Sequence, residues 1–158
     1  MTNNDILRSI RYTLDLADHK IVELVKLGGE TVDKTDVARW LLAEDERDYL
    51  DCGHLPMNAF LDGLITQRRG AREPQPGQQA PAVKVVARIT NNLALKKLRI
   101  AFELQEDDLV DIFNRAQFRI SRPEISALFR APGHKNYRVC GDQVLRNFLK
   151  GLTLRLRA

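Results

Sequence analysis

Apolar residues recur along the chain with a helical period, and the pattern occurs twice. Leu7, Ile10 and Leu14 fall at i, i+3 and i+7, and Leu95, Leu98 and Phe102 repeat that spacing in the second half. Each run opens on an asparagine pair, Asn3-Asn4 and Asn91-Asn92, a residue type able to cap a helix. A second helix is expected from near Asp18, burying Ile21, Leu24 and Val25, and closing at Gly28-Gly29, where glycine supplies a positive φ. Its counterpart near Glu106 buries Leu109, Ile112 and Phe113. The third helix is best marked at Ser121-Arg122-Pro123-Glu124, a capping box with proline in the first turn, followed by Ile125, Leu128 and Phe129. The first half has Asp33-Lys34-Thr35-Asp36 and then Val37, Trp40 and Leu41. A fourth, longest helix is expected from about Pro56 to Arg69 and again from about Cys140 to Leu156. No segment requires a sheet.

The two halves align at a constant offset of 88 residues without a gap, with 15 identities over the 68 positions of 3–70 and 91–158. The identities include Asn3-Asn4 with Asn91-Asn92, Tyr49 with Tyr137, Cys52-Gly53 with Cys140-Gly141, and Phe60-Leu61-x-Gly63-Leu64 with Phe148-Leu149-x-Gly151-Leu152. The expected fold is therefore all-α. It consists of two tandem copies of a roughly four-helix unit, 1–70 and 91–158, packed face to face with pseudo-twofold symmetry. Residues 71–90 carry Pro74, Pro76, Gly77 and Pro81 and read as a linker, with a short extended segment conceivable over 83–89. Gly63 and Gly151 lie inside the last helix, where glycine costs about 1 kcal/mol against alanine, which points to a close helix crossing.

Charge divides the halves. The chain carries a net +4, made of −4 over residues 1–70, +2 over 71–90 and +6 over 91–158. The halves attract each other, or their solvated helix faces have only drifted apart in sequence, or the second presents a basic surface to an anionic partner. No apolar stretch approaches the roughly 20 residues that span a bilayer, and the N-terminal run lacks the positive start of a signal peptide, so a cytoplasmic location without membrane contact is expected. Two cysteines are too few for a disulfide framework.

Candidate chemistry concentrates in the polar connection 131–143, Ala-Pro-Gly-His-Lys-Asn-Tyr-Arg-Val-Cys-Gly-Asp-Gln. The candidate binding surface comprises Arg119, Arg122, Arg130, His134, Lys135, Asn136, Arg138, Asp142 and Gln143. A Cys140 nucleophile assisted by His134 is disfavoured, because the position matching His134 is Glu46. A metal site from Cys52, His54, His134 and Cys140 has no recognised ligand spacing, and aspartate replaces His54 in the second copy. Glu44-Asp45-Glu46 reads as a solvated acidic turn. No phosphate loop, nucleophile elbow or zinc-protease pair occurs, so neither a cofactor nor a metal is expected. The order helix 106–116, connection, capped helix 121–130 resembles a helix-turn-helix loosely, with Arg119, Arg122, Arg130, Lys135 and Arg138 as phosphate contacts.

Four longer strings carry a family resemblance: Asn-Asp-Ile-Leu-Arg-Ser-Ile-Arg-Tyr at 4–12, Asn-Asn-Leu-Ala-Leu-Lys-Lys-Leu-Arg-Ile-Ala-Phe at 91–102, Arg-Ala-Pro-Gly-His-Lys-Asn-Tyr at 130–137 and Cys-Gly-Asp-Gln-Val-Leu-Arg-Asn-Phe-Leu-Lys-Gly-Leu at 140–152. On these the chain resembles, over nearly its whole length, the YehS-type family of small bacterial proteins. The resemblance implies a duplicated domain of unknown function and assigns no catalytic residue. The favoured expectation is a non-enzymatic binding or regulatory module acting on a protein partner. Nucleic-acid binding by the basic second copy is the alternative, and an enzyme centred on Cys140 and His134 comes last.

Overall fold

The computed structural model describes residues 1–70 and 88–157, so most of the expected linker and of the extended segment at 83–89 lies outside the described residues. The described residues form eight helices and no strand. The first copy contributes α1 (Asn3–Leu14), α2 (Asp18–Leu27), α3 (Lys34–Trp40) and α4 (His54–Arg69). The second contributes α5 (Asn91–Ala101), α6 (Glu106–Arg115), α7 (Arg122–Leu128) and α8 (Asp142–Leu156). The asparagine pairs do not cap the first helices. Thr2 and Thr90 do, their hydroxyls accepting from the amides of Asp5 and Leu93. The asparagines are released for a different task, described below. Asp15 and Glu103, at equivalent positions, leave these helices with φ of 53° in both copies, and Gly29 turns the chain after α2 at φ 102°.

Within each copy the second and fourth helices run antiparallel and touch backbone to backbone. A Cβ built on Gly63 would lie 1.7 Å from the Leu24 carbonyl oxygen, and one on Gly28 would lie 1.8 Å from that of Ala59. In the second copy a Cβ on Gly151 would lie 1.9 Å from the Ile112 carbonyl oxygen, while Ala116 stands where the first copy has Gly28. The expected close crossing is present in both units. Glycine is required there because a carbonyl, unlike a side chain, has no rotamer by which to withdraw.

The copies do not simply meet face to face. Each sends its first helix to the last helix of the other, so α1 packs mainly on α8 and α5 on α4. Both of these pairs are parallel. Met1 reaches Asp142 at the start of α8, and the Thr13 and Thr153 hydroxyls share a 2.6 Å hydrogen bond near the ends of α1 and α8. Likewise the Ile89 amide meets His54 at the start of α4, and Arg69 meets Glu103 3.6 Å away at the far end. The N-termini of α1, α4, α5 and α8 thus gather at one end, around the pseudo-twofold axis. One apolar cluster runs through both copies, from Ile6 and Leu7 to Leu149 and Leu152. Their opposite net charges are little used in this docking. Lys97 of the second copy binds Asp62 and Asn58 of the first, but Arg69 of the first copy pairs with Glu103 of the second, in the reverse sense.

Candidate functional site

The connections between the third and fourth helices are held by the asparagine pairs. Asn4, 1% exposed, donates from Nδ2 to the carbonyls of Trp40 (3.0 Å) and Leu50 (2.8 Å), while its Oδ1 accepts from the Cys52 amide at 2.9 Å. Asn92 makes the same three bonds to Leu128, Arg138 and Cys140. Asn3 and Asn91 add one each, to the Cys52 and Cys140 carbonyls, both at 3.0 Å. A carboxamide offers donors and an acceptor on one planar group, so it can join two carbonyls and an amide at once. This accounts for the matched Asn-Asn and Cys-Gly pairs. The turns are also shared: the amide of Glu46 or His134 bonds to the carbonyl of Ala43 or Ala131, and that of Tyr49 or Tyr137 to Glu46 or His134.

On this common backbone the two connections carry opposite charge. Residues 43–51 hold Glu44, Asp45, Glu46, Asp48 and Asp51 against Arg47, a net −4, whereas 131–139 hold Lys135 and Arg138 and no carboxylate, a net +2 with His134 neutral. In the first connection burial, together with a hydrogen bond to Asp51 and the nearby charges of Asp51, Glu44 and Asp5, raises the Tyr49 hydroxyl above its ordinary pKa.

Beside the second connection lies an open groove of about 600 Å³, formed by α7, the start of α6 and the chain from Lys135 to Arg138. It brings together Arg122, Arg130, Lys135, Asn136 and Arg138, and its wall includes Glu106, Glu124 and Tyr137. Arg122 is held by Asp107 at 2.8 Å and Glu106 at 3.8 Å, and Arg138 by Glu124 at 2.6 Å. The capping hydroxyl of Ser121 and the Arg138 guanidinium keep the Glu124 carboxyl below its ordinary range. Arg130 and Lys135 make no ion pair among the described residues and are exposed. A second hollow of about 440 Å³ adjoins Arg130 and Tyr137 on the α5 side, where Lys96 and Phe129 complete it.

Four of the sequence candidates lie elsewhere. Arg119 is exposed but does not line the groove. His134 receives the Asn136 amide on Nδ1 at 3.0 Å and so braces its own turn. Asp142 belongs to the joint between copies: it accepts from the Met1 nitrogen at 2.6 Å and from Asn91 Nδ2 at 2.8 Å. Its counterpart His54 accepts from the Ile89 amide at 3.1 Å and lies 3.3 Å from Asn3 Nδ2. Gln143 follows in the exposed first turn of α8. Sequence reasoning missed Glu106, Glu124 and Tyr137 as groove residues. Glu124 was visible only as a capping residue, and the identity of Tyr137 with Tyr49 marked it as shared without locating it.

The third helix of the second copy is seven residues long, Arg122–Leu128, and Arg130 stands beyond it. That corrects the expected helix 121–130 and leaves little of a groove-reading helix. Cys52 and Cys140 are 5% and 2% exposed, with thiols donating to the carbonyls of Gly53 and Gly141. Burial pushes the Cys52 thiol up to about 12 and the Cys140 thiol up to about 11, the reverse of what a nucleophilic thiolate needs. Among the described residues no three His, Cys, Asp or Glu side chains are grouped to hold a metal. No helix among them is long and apolar enough to cross a membrane.

A family model described as "Protein of unknown function (DUF1456)" matches the chain twice, over residues 3–70 and 91–158. The chain is 47% identical over 155 residues to the uncharacterized protein YehS of Escherichia coli strain K12, covering 98% of this chain and 96% of that one. No solved structure matches it.

Proposed function

The chain belongs to the DUF1456 family, and from that premise we propose that it is a non-enzymatic binding module of the bacterial cytoplasm that receives an acidic protein segment in the groove beside α7. One observation carries the reading: the groove sets Arg130 and Lys135, which make no ion pair among the described residues, beside two arginines already held by carboxylates. Arg122 and Arg138 are thereby fixed in direction and keep donors free, as a five-donor guanidinium bound to one or two carboxylates does. Arg130 and Lys135 supply the net attraction. A segment with alternating carboxylates and apolar residues suits such a surface, since Tyr137 and the Pro123 ring offer apolar contact between the charges. A phosphate backbone suits it less. Glu106 and Glu124 stand in the groove, where a peptide can set apolar residues opposite them but an evenly charged phosphate backbone cannot, and Arg119 lies outside it.

The test is fluorescence anisotropy with a labelled acidic peptide containing one tyrosine and one leucine, alongside a labelled DNA duplex, at about 50 and about 300 mM salt. The peptide is expected to bind with a Kd on the order of 10 µM, and Arg130→Glu with Lys135→Glu to weaken it at least about tenfold. Absence of peptide binding overturns the reading. Tighter DNA binding with a steep salt dependence replaces it with nucleic-acid recognition.

A further inference from the structure

We propose that the end of the molecule where the helix N-termini gather is a self-association face, on which a second copy of this chain docks by reciprocal contact of the acidic and basic connections. Three observations lead there. The connections are tied by Asn3, Asn4, Asn91 and Asn92 to the first turns of α1 and α5, so both belong to the same end and stand on opposite sides of the pseudo-twofold axis. They share one set of backbone turns but carry −4 and +2. Among the described residues no hydrogen bond or ion pair joins one connection to the other, and Glu44, Asp45 and Lys135 make no ion pair at all, so the complementarity is not consumed within one molecule.

Symmetry then selects the partner. A second copy turned over by a twofold perpendicular both to the pseudo-axis and to the line joining the two connections sets its acidic connection against the first copy's basic one, and its basic connection against the first copy's acidic one. Both contacts form together, so the assembly is a closed dimer instead of an open chain. An unrelated acidic or basic partner would match only one side of this face. The apolar part of the face is also present: Leu55 in the first turn of α4 is 46% exposed, and Val139, two residues before the Gly141 cap of α8, is 71% exposed. A few apolar groups rimmed by complementary charge make a dimer that is weak and sensitive to salt.

The proposal goes beyond the peptide groove and is tested separately from it. Sedimentation velocity of the full chain is expected to show a monomer passing to a dimer as concentration rises through tens of micromolar at about 50 mM salt, and a monomer at about 500 mM. Glu44→Lys, Asp45→Lys and Asp48→Lys together turn the first connection from −4 to +2, so that both are basic; Arg130→Glu with Lys135→Glu turns residues 130–139 from +3 to −1, so that both are acidic. Each variant alone is expected to stay monomeric, and an equimolar mixture to form a one-to-one heterodimer with both contacts restored. Circular dichroism of each variant verifies that the helices are intact, and Val139→Asp gives an independent loss of the dimer. A wild-type monomer at every concentration, charge-reversed variants that still self-associate, or a mixture that does not recombine overturns the proposal. Glu44, Asp45 and Asp48 do not line the groove, so their variant keeps peptide binding if the functional reading holds; failure of one idea is thus read apart from failure of the other.

Discussion

Replacing Asn4 by alanine removes a side chain that bridges three backbone groups at once, the Trp40 and Leu50 carbonyls and the Cys52 amide. A single hydrogen bond contributes about 1 kcal/mol net, and a buried group left without a partner costs about 1–3 kcal/mol. Asn4 is 1% exposed, so water does not take its place at Trp40 and Cys52, and the loss should total about 3–5 kcal/mol. Asn92 makes the same set, but its bond to the Arg138 carbonyl is exposed and water can replace it, so Asn92→Ala should cost roughly half as much. Asn4→Asp separates hydrogen bonding from packing. It is nearly isosteric, yet it turns a carboxylate oxygen toward two carbonyls, and it should destabilise about as strongly as alanine. Urea denaturation followed by far-ultraviolet circular dichroism measures all three variants. A cost below about 1 kcal/mol for Asn4→Ala, or a larger cost at Asn92 than at Asn4, would refute the bridging argument.

Gly63→Ala gains about 1 kcal/mol of helix propensity but drives a methyl against the Leu24 carbonyl, and a net loss of about 2–4 kcal/mol is expected in the same assay. Gly133→Ala, where a Cβ meets nothing within 4 Å, should change stability by less than about 1 kcal/mol. Both thiols should resist a disulfide reagent near pH 8 until the protein is unfolded. Their folded pKa values are raised to about 12 and about 11 from 9.0, so the stability they contribute is complete below pH 9 and declines as pH climbs toward those values; alkaline melting of a Cys52→Ala variant should be correspondingly flatter. Residues 1–70 alone lose the α8 partner of α1 and the α5 partner of α4, and should show no cooperative monomer transition in circular dichroism; a monomer as stable as the full chain would contradict the helix exchange.

The basic groove was half legible. Arg122, Arg130, Lys135, Asn136 and Arg138 were named from charge and position in a polar connection, and the structure brings them together. Asp142 and His134 were named on the same grounds, but one closes the joint between copies and the other a turn. Polarity marks a residue as able to bond and says nothing of what lies opposite. The asparagine pairs show the same limit from the other side: a cap is a local bond and the natural inference, while their actual acceptors lie 36 to 51 residues away.

Sequence alone determined the helices and the duplication, because the helical period, capping boxes and a gapless offset are written in neighbouring residues and need no distant partner. It also marked Gly63 and Gly151, since an unfavourable residue kept in two helices implies a contact that excludes Cβ. Which helix each copy lends to the other was decided only in three dimensions. The apolar faces of α1 and α5 touch both last helices but pack mainly on the other repeat's, together with pairings across the joint such as Lys97 with Asp62 and Thr13 with Thr153 and a core shared by both copies. The opposite charges of the two connections could be counted from the sequence. That they sit at one end of the molecule, on either side of one axis, follows from the tertiary structure, because it depends on four helices running parallel.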